Sequence, residues 1–225
     1  MSRKQAAAFD RALEAFRAGD PVCVHDFADR EGETDVVTPA ESVTPADVAR
    51  MRNDAGGLIC VAVPDDVADA VDLPFLEDAL DHPAAGGHDL AYDDRSSFSL
   101  PVNHRDTFTG VTDDDRARTI TELASMAETV AAGHDYGAEE FAAEFRSPGH
   151  VDVLRGAPGG LADRVGHTEL GLALAAEAGC APAVVVCEML DDESGAALAP
   201  EAAREYARRH GFPYVEGADL VDALG

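Results

Sequence analysis

The features that most constrain the fold of this sequence are two short apolar runs with no polar residue inside them. They occupy residues 58–63 and 183–186, and Gly56 and Gly57 precede the first run. A strand with one exposed face alternates polar and apolar residues, whereas a continuously apolar strand is covered on both faces. The sequence therefore predicts a layered α/β fold, a three-layer α-β-α sandwich around a mixed, mostly buried β-sheet.

Helical periodicity in the sequence predicts the helices of the two outer layers. Phe9, Leu13 and Phe16 lie on one face of a predicted first helix. Thr44 and Thr112 precede acidic residues, as helix N-caps commonly do. The predicted helices are 5–18, 44–52, 112–133, 138–145, 168–179 and 200–210, and the predicted strands are 21–24, 58–63, 97–102, 151–154, 183–186 and 214–215. Connecting structure is expected at 65–95, and turns at 146–150 and 218–224.

Length and composition indicate one domain. With 225 residues, of which 46% are hydrophobic, the chain can bury one continuous core, so we expect a single domain over residues 1–225. No apolar stretch reaches membrane-spanning length, and the N-terminus does not resemble a signal peptide. We therefore expect a cytoplasmic protein with no membrane contact. The four cysteines form no CxxC pair, which favours buried thiols.

The strong negative charge excludes one class of partner. The formal charge is -27, from 44 acidic and 17 basic residues, and Lys4 is the only lysine. Binding to a nucleic-acid backbone through a basic surface is therefore not expected. High charge also occurs in disordered chains, but the apolar content and regular periodicity argue against disorder. The remaining interpretation is a protein adapted to high salt, where screening reduces repulsion between carboxylates.

This interpretation predicts that salt strengthens folding. Circular dichroism at low and at molar salt should show a higher resistance to unfolding at molar salt, because ions screen the repulsion between surface carboxylates. Stability that does not change with salt would contradict the adaptation.

An acidic segment follows the first predicted strand. Residues 29–35 contain four carboxylates and one guanidinium, that of Arg30. Glu31, Glu33 and Asp35 alternate, so in an extended segment they point to one side, where a cation relieves their repulsion. Such a crowd of hard oxygen ligands suits Mg²⁺. The alternative is a solvated surface loop.

A second segment has the character of a phosphate site. Residues 164–168 read RVGHT, and Thr168 stands at the start of a predicted helix whose free amides attract anions. Gly166 allows close backbone approach, and Arg164 adds a bidentate cation. His167 beside such a site and within reach of Glu31 could complete a metal site. The alternative is an ordinary helix cap next to a surface arginine and a solvated histidine.

Four further residues are candidates with simple structural alternatives. His150 follows a Pro-Gly pair that could fix it as an acid or base, or it is a loop histidine without a partner. Glu188 ends an apolar strand, where open α/β sheets place active-site groups, or it is an ordinary strand terminus. Thr109 offers a hydroxyl to substrate or only makes a turn. Cys60 is most simply a core residue.

Together these segments resemble 3,4-dihydroxy-2-butanone 4-phosphate synthase of riboflavin biosynthesis, over about residues 22–224. The motifs occur in family order: the acidic loop 29–35, GLIC at 57–60, Thr109-Gly110 with Asp115-Arg116 and Thr119-Ile120, FRSPGH at 145–150, RVGHT at 164–168 and Cys187-Glu188. The family has an Asn and a Gly where this chain has Gly32 and Thr34. That departure affects the local backbone and not the carboxylates.

The resemblance implies a lyase that converts D-ribulose 5-phosphate to L-3,4-dihydroxybutan-2-one 4-phosphate and formate. It implies a divalent metal, Mg²⁺ or Mn²⁺, and an active site shared across a homodimer. By analogy Glu31 and His167 bind metal, and Glu33, Asp35, His150 and Glu188 are the candidate catalytic residues. The expected substrate-binding residues are Arg30, Glu31, Asp35, Thr109, Arg164, Val165, Gly166, His167, Thr168 and Glu188.

The implied reaction is chemically coherent with these residues. It needs proton removal beside a carbonyl, an enediolate, loss of water, carbon migration and release of formate. Metal ions stabilise enediolate oxygens and polarise carbonyls, and carboxylates or imidazoles move the protons. Which residue removes the first proton stays open. Two rivals rank lower: a non-catalytic relative that binds a sugar phosphate for regulation, and a nucleotide- or RNA-binding protein of similar architecture, which the acidity and the absence of a P-loop disfavour.

Overall fold

The computed structural model describes residues 2–27, 30, 32–85 and 95–225. In that part of the chain, the strands are β1 (Val22–His25), β2 (Thr34–Pro39), β3 (Cys60–Val63), β4 (Phe98–His104), β5 (Phe145–Arg155), β6 (Val184–Glu188) and β7 (Tyr214–Glu216). The α-helices are α1 (Arg3–Ala18), α2 (Pro45–Arg50), α3 (Asp65–Ala70), α4 (Leu76–Ala79), α5 (Asp113–Ala131), α6 (Ala138–Glu144), α7 (His167–Ala178), α8 (Pro200–His210) and α9 (Gly217–Leu224).

All seven of these strands form one sheet in the order β4-β5-β3-β6-β2-β1-β7. The sheet is mixed: β3 pairs with β5 and β1 with β7 in parallel, while the other neighbouring strands are antiparallel. The two apolar runs become β3 and β6, which pair with each other near the middle of the sheet. That position explains why residues 60–63 and 184–186 are all buried, whereas Leu58, which precedes β3, is 46% exposed.

Alternate side chains of the central strands pack into two separate hydrophobic cores, one on each face of the sheet. Val36, Val185 and Cys187 belong to the core under α2, α5 and α8, whereas Val37 and Val186 belong to the core under α1, α7 and α9. This is the two-residue period of a strand, with each face covered by helices. A fully buried valine contributes about 1.5–3 kcal/mol relative to an exposed one, so these strands stabilise both layers. The predicted three-layer sandwich around a mixed sheet is confirmed.

The predicted helix starts are also confirmed. The side chain of Thr44 accepts a hydrogen bond from the Asp47 amide, and the Asp47 carboxylate accepts one from the Thr44 amide. The side chain of Thr112 accepts from the Asp115 amide in the same way. Each cap pairs a backbone donor that the helix itself leaves without a partner.

Several local predictions were wrong. Residues 146–150, predicted to be a turn, lie inside β5. Arg146 pairs with Asn103 of β4, and residues 147–150 lie in the register shift between that pair and the pair of Val102 with Val151. Pro148 is tolerated there because the pairing of β5 with β3 begins only at Asp152. The predicted connection at 65–95 contains α3 and α4, and the last predicted turn is the helix α9. The helix expected to end near residue 52 continues as a π-helical turn, Met51–Ala55.

None of the helices in the described ranges combines the length and the apolar character that crossing a bilayer requires.

Candidate active site

Two carboxylates stand opposite each other on neighbouring strands. Asp35 on β2 is the direct partner of Glu188 on β6 in the antiparallel register. Directly opposed side chains on such strands have Cβ atoms about 4.5–5.5 Å apart, and like charges in that position repel. Asp35 is only 2% exposed, so water screens this repulsion poorly. The pair needs positive charge nearby.

A cavity beside this pair supplies that positive charge. Its volume is about 140 Å³, and it lies where β2, β3 and β6 approach the start of α7. The residues that line it come from segments far apart in the sequence, and three of them are arginines. The lining residues are Arg30, Asp35, Cys60, Arg95, Ser96, Ser97, Phe98, Leu154, Arg164, His167, Thr168, Val186 and Glu188. The cavity therefore presents carboxylates and guanidinium groups to the same small volume.

His167 is the first residue of α7 and is 6% exposed. Its Nε2 lies 3.2 Å from the carbonyl oxygen of Val24, so Nε2–H donates there, and in the neutral ring Nδ1 is the nitrogen with the lone pair. Nδ1 lies 3.5 Å from Oδ1 of Asp35. A histidine that donates one ring N–H to a backbone carbonyl while its other nitrogen faces a carboxylate has the usual arrangement of a metal ligand.

The other residues of the 164–168 segment surround the start of the same helix. Gly166 is the N-cap of α7, and a Cβ there would come within 3.0 Å of the Arg30 guanidinium, so the glycine allows this close approach. Arg164 contacts the hydroxyl of Ser97 and lies 3.5 Å from Oε1 of Glu169. Thr168 is buried and lines the cavity. Val165 is half-buried and is not among the lining residues.

Glu188 is held in place by the segment before β3. Its Oε2 accepts a hydrogen bond of 2.8 Å from the Leu58 amide, and its carbonyl oxygen accepts one of 3.0 Å from the Gly57 amide. A Cβ on Gly57 would come within 2.5 Å of both Glu188 oxygens. Only glycine leaves room for the Glu188 carboxylate in this position.

Replacing Gly57 with Ala should therefore displace the Glu188 carboxylate and lower the rate of the chemical step by about tenfold or more, because a displaced acid or base loses much of its contribution. Enzyme assays on G57A would measure this loss. Gly137→Ala is a matched control, since a Cβ there meets nothing closer than 3.6 Å. Equal activity of G57A and wild type would show that the position of Glu188 is unimportant.

The acidic loop is only partly described. Glu31, predicted to bind metal, and Asp29 lie outside the described residues. Glu33 precedes β2, its amide donates to Asp26 Oδ1 at 3.0 Å, and it does not line the cavity. Among the described residues, no three histidine, cysteine, aspartate or glutamate side chains converge as a metal site. The metal assignment to Glu31 with His167 therefore stays a prediction.

Thr109 and His150 lie together at a second place. Asn103 contacts both residues, and neither of them lines the cavity. The Asp115 carboxylate accepts from the amides of Gly110 and Thr109 at 2.8 and 3.1 Å. These amide hydrogen bonds, that of Gly110 first, hold the pKa of Asp115 below its usual value. Within one chain, the predicted site residues thus form two clusters.

Sequence reasoning missed two buried polar residues beside these clusters. Glu169 is 2% exposed, its Oε1 accepts from the Ala157 amide at 3.0 Å, and it faces Arg164. Burial raises the pKa of Glu169, and the Arg164 guanidinium opposes that rise. The other is Asn103, 3% exposed. A charged residue at the start of an otherwise apolar helix was a signal for Glu169, whereas the sequence offers none for Asn103.

Cys60 is 2% exposed, which confirms the prediction of a core thiol, although it also lines the cavity. Burial and then the nearby Glu188 carboxylate raise the pKa of the Cys60 thiol well above its usual value. The thiol is therefore protonated at neutral pH and is a poor nucleophile.

Comparisons with known proteins agree with this geometry. The model of the 3,4-dihydroxy-2-butanone 4-phosphate synthase family matches residues 10–223. The chain is 50% identical to the 3,4-dihydroxy-2-butanone 4-phosphate synthase of Archaeoglobus fulgidus over 95% of this chain and 92% of that protein. It is 49% identical to that of Methanosarcina mazei, over 95% and 90% of the two chains.

Solved structures give the same result. A crystal structure of 3,4-dihydroxy-2-butanone 4-phosphate synthase in complex with two magnesium ions matches with a TM-score of 0.78 and 30% identity, over 95% of this chain and 94% of that one. The chain therefore belongs to the 3,4-dihydroxy-2-butanone 4-phosphate synthase family, whose members are enzymes of riboflavin biosynthesis.

Proposed function

We propose that this protein converts D-ribulose 5-phosphate to L-3,4-dihydroxybutan-2-one 4-phosphate and formate. The observation that carries the proposal is the cavity in which Asp35 and Glu188 face Arg30, Arg164 and His167. Members of the family act on ribulose 5-phosphate. A phosphorylated sugar needs cations at one end and groups that move protons at the other, and this cavity offers both.

The phosphate is assigned to the start of α7. Arg164 supplies a cation that can bind two phosphate oxygens, and the amides of the first helical turn add the positive end of the helix dipole. Thr168 lies within that turn and lines the cavity. Arg30, held against Gly166, adds a second guanidinium. Val165 and Gly166 contribute backbone to the same segment.

The opposite end of the cavity is assigned to the sugar carbons. Asp35 and Glu188 can each accept a proton from a carbon or a hydroxyl of the substrate. Glu33, two residues before Asp35 and outside the cavity lining, is the third candidate. The Leu58 amide keeps the Glu188 carboxylate in one orientation, which lowers the entropy cost of reaching the reactive geometry.

A divalent metal, Mg²⁺ or Mn²⁺, fits this donor set. Nδ1 of His167 faces Asp35 Oδ1 at 3.5 Å, and in the neutral ring its lone pair is available to a metal ion beside that carboxylate. We assign the metal to His167 together with Glu31. When bound, such an ion stabilises the negative charge of an enediolate and polarises the substrate carbonyl.

A second copy of the chain is proposed to complete the site with Thr109 and His150. Two large apolar side chains flank Thr109 and are strongly exposed, Phe108 at 92% and Val111 at 51%. Neighbouring exposed apolar residues mark surfaces that a partner covers. In a symmetric homodimer the same surface of each copy would meet the cavity of the other.

The homodimer can be tested with two inactive variants. Asp35→Asn damages the cavity, and His150→Ala damages the second cluster, so each homodimer of a variant is expected to be inactive. Mixing the two unfolded variants and refolding them together should restore about a quarter of the wild-type activity, because half of the dimers are mixed and each has one intact site. No recovery in the mixture, with dimers present, would place both residues in one chain's site.

We also propose that residues 1–225 act as one domain. The single sheet receives strands from β1 near the start to β7 near the end of the chain, and helices from both halves share each core. A single cooperative unfolding transition is expected in calorimetry, and two separate transitions would argue for two domains.

Formate release tests the function directly. Purified protein with D-ribulose 5-phosphate and Mg²⁺ should release formate, EDTA should stop the reaction, and excess Mg²⁺ should restore it. Binding of ribulose 5-phosphate without formate release would instead support a regulatory sugar-phosphate protein.

A further inference from the structure

We propose that Asn103 is a positioning residue that holds the His150 imidazole with its proton on Nε2 and ties the Thr109 loop to it. The inference deepens the proposed function and rests on it for the role of His150 with substrate. It concerns the second cluster, made of Asn103, Thr109, Gly110 and His150.

Asn103 is well placed to organise that cluster. It lies in β4, only 3% of it is exposed, and its neighbour across the sheet in β5 is Arg146. A register shift separates Val102 from Asn103. His150, farther along β5, is exposed. A buried carboxamide beside an exposed imidazole can fix the ring without reacting itself.

Two backbone groups determine which way the Asn103 amide points. The His150 amide N–H donates to Oδ1 at 2.8 Å, and Nδ2 donates to the Thr109 carbonyl oxygen at 3.4 Å. A backbone N–H can only donate and a carbonyl oxygen can only accept. Exchanging the oxygen and nitrogen of the amide would place two donors or two acceptors against each other, so this orientation is fixed.

The fixed amide in turn selects the tautomer of His150. Nδ1 of the ring lies 3.1 Å from Nδ2 of Asn103 and 3.4 Å from Oδ1. The shorter of these contacts is with Nδ2, which can only donate, and Oδ1 already accepts from the His150 amide at 2.8 Å. The geometry therefore favours Nδ1 as an acceptor, with the proton of the neutral ring on Nε2. The neutral imidazole therefore offers substrate a hydrogen-bond donor through Nε2. Of the two roles open to His150, acid or base, this favours donation toward a substrate oxygen.

The Thr109 loop packs directly on the same amide. Gly110 has a φ of 85°, a left-handed conformation that favours glycine, and a Cβ there would overlap the Asn103 carboxamide. The Asp115 carboxylate holds the other side of this loop through the Gly110 and Thr109 amides. Asn103 thus links the position of the Thr109 hydroxyl to that of the imidazole.

Nitrogen-15 NMR of the ring nitrogens tests the inference without reference to activity. In the wild-type protein with a neutral ring, we expect Nε2 to carry the proton and Nδ1 to have the shift of an unprotonated nitrogen. Asn103→Asp replaces the donor with a carboxylate oxygen, so the proton should move to Nδ1. Asn53→Asp, the same change at the exposed asparagine of the chain, should leave the tautomer unchanged.

Kinetics give the functional side of the test. N103D is expected to lower kcat by at least about tenfold while KM changes much less, because the substitution does not alter the proposed phosphate site at Arg164 and the start of α7. N53D should match the wild type. A wild-type ring protonated on Nδ1, or a folded N103D whose proton stays on Nε2, overturns the inference, and the wild-type measurement decides if N103D does not fold. The expected tautomers in a protein that releases no formate would contradict the proposed function instead.

Discussion

Alanine in place of His167 is expected to lower formate release from ribulose 5-phosphate by about 1000-fold or more. The change removes the ring whose Nδ1 faces the Asp35 carboxylate and whose Nε2 donates to the Val24 carbonyl. Loss of that buried hydrogen bond costs only about 1–3 kcal/mol, so the chain should remain folded. A formate assay together with far-UV circular dichroism measures both effects.

His134→Ala is the matched control, because His134 is exposed and lies after α5, outside the cavity. It should retain wild-type activity. Full activity of H167A would refute the assignment of His167 to the reaction, whereas an unfolded H167A would call for the milder His167→Asn.

Asparagine in place of Asp35 should lower kcat by about 100- to 10,000-fold, the range that proton-transfer groups usually contribute. The substitution keeps the shape of the side chain but removes its negative charge and replaces one carboxylate oxygen with an NH₂ group, which donates hydrogen bonds. It also removes one of the two charges that oppose each other across β2 and β6, so we expect no large loss of stability. Steady-state kinetics and thermal unfolding of D35N measure these outcomes.

Asp152→Asn provides the comparison for D35N. Asp152 also lies on a strand, and burial raises its pKa, but it does not line the cavity. D152N should keep nearly full activity. If D35N and D152N lose activity equally, the effect comes from changing a strand aspartate and not from the site.

The general architecture was predictable because its signals are local. The apolar runs at 58–63 and 183–186 identify buried strands, and the caps at Thr44 and Thr112 need only neighbouring residues. The strand order and the pairing of Asp35 with Glu188 depend on contacts between distant segments, which local patterns do not encode. Residues 146–150 were misassigned because a Pro-Gly pair usually marks a turn, whereas here it lies in a register shift of β5, with paired residues on both sides.

The site was predictable residue by residue but not as an arrangement. Arg164, His167 and Glu188 carry reactive groups that stand out in the sequence, and the structure brings all three to one cavity. The separation of His150 and Thr109 into a second cluster had no sequence signal. Asn103 was missed because a single asparagine in a strand has no distinctive pattern, and its importance depends on partners up to 47 residues away.

Direct metal binding tests the central claim most sharply: the acidic loop and the first residue of α7 hold a divalent ion next to the sugar phosphate. Calorimetric titration of EDTA-treated protein with Mn²⁺, in molar KCl to screen the surface charge, should give a defined site in the wild type. Glu31→Ala and His167→Ala should each weaken that binding by about tenfold or more, and His134→Ala should not. Equal Mn²⁺ affinity in all four proteins would contradict the account.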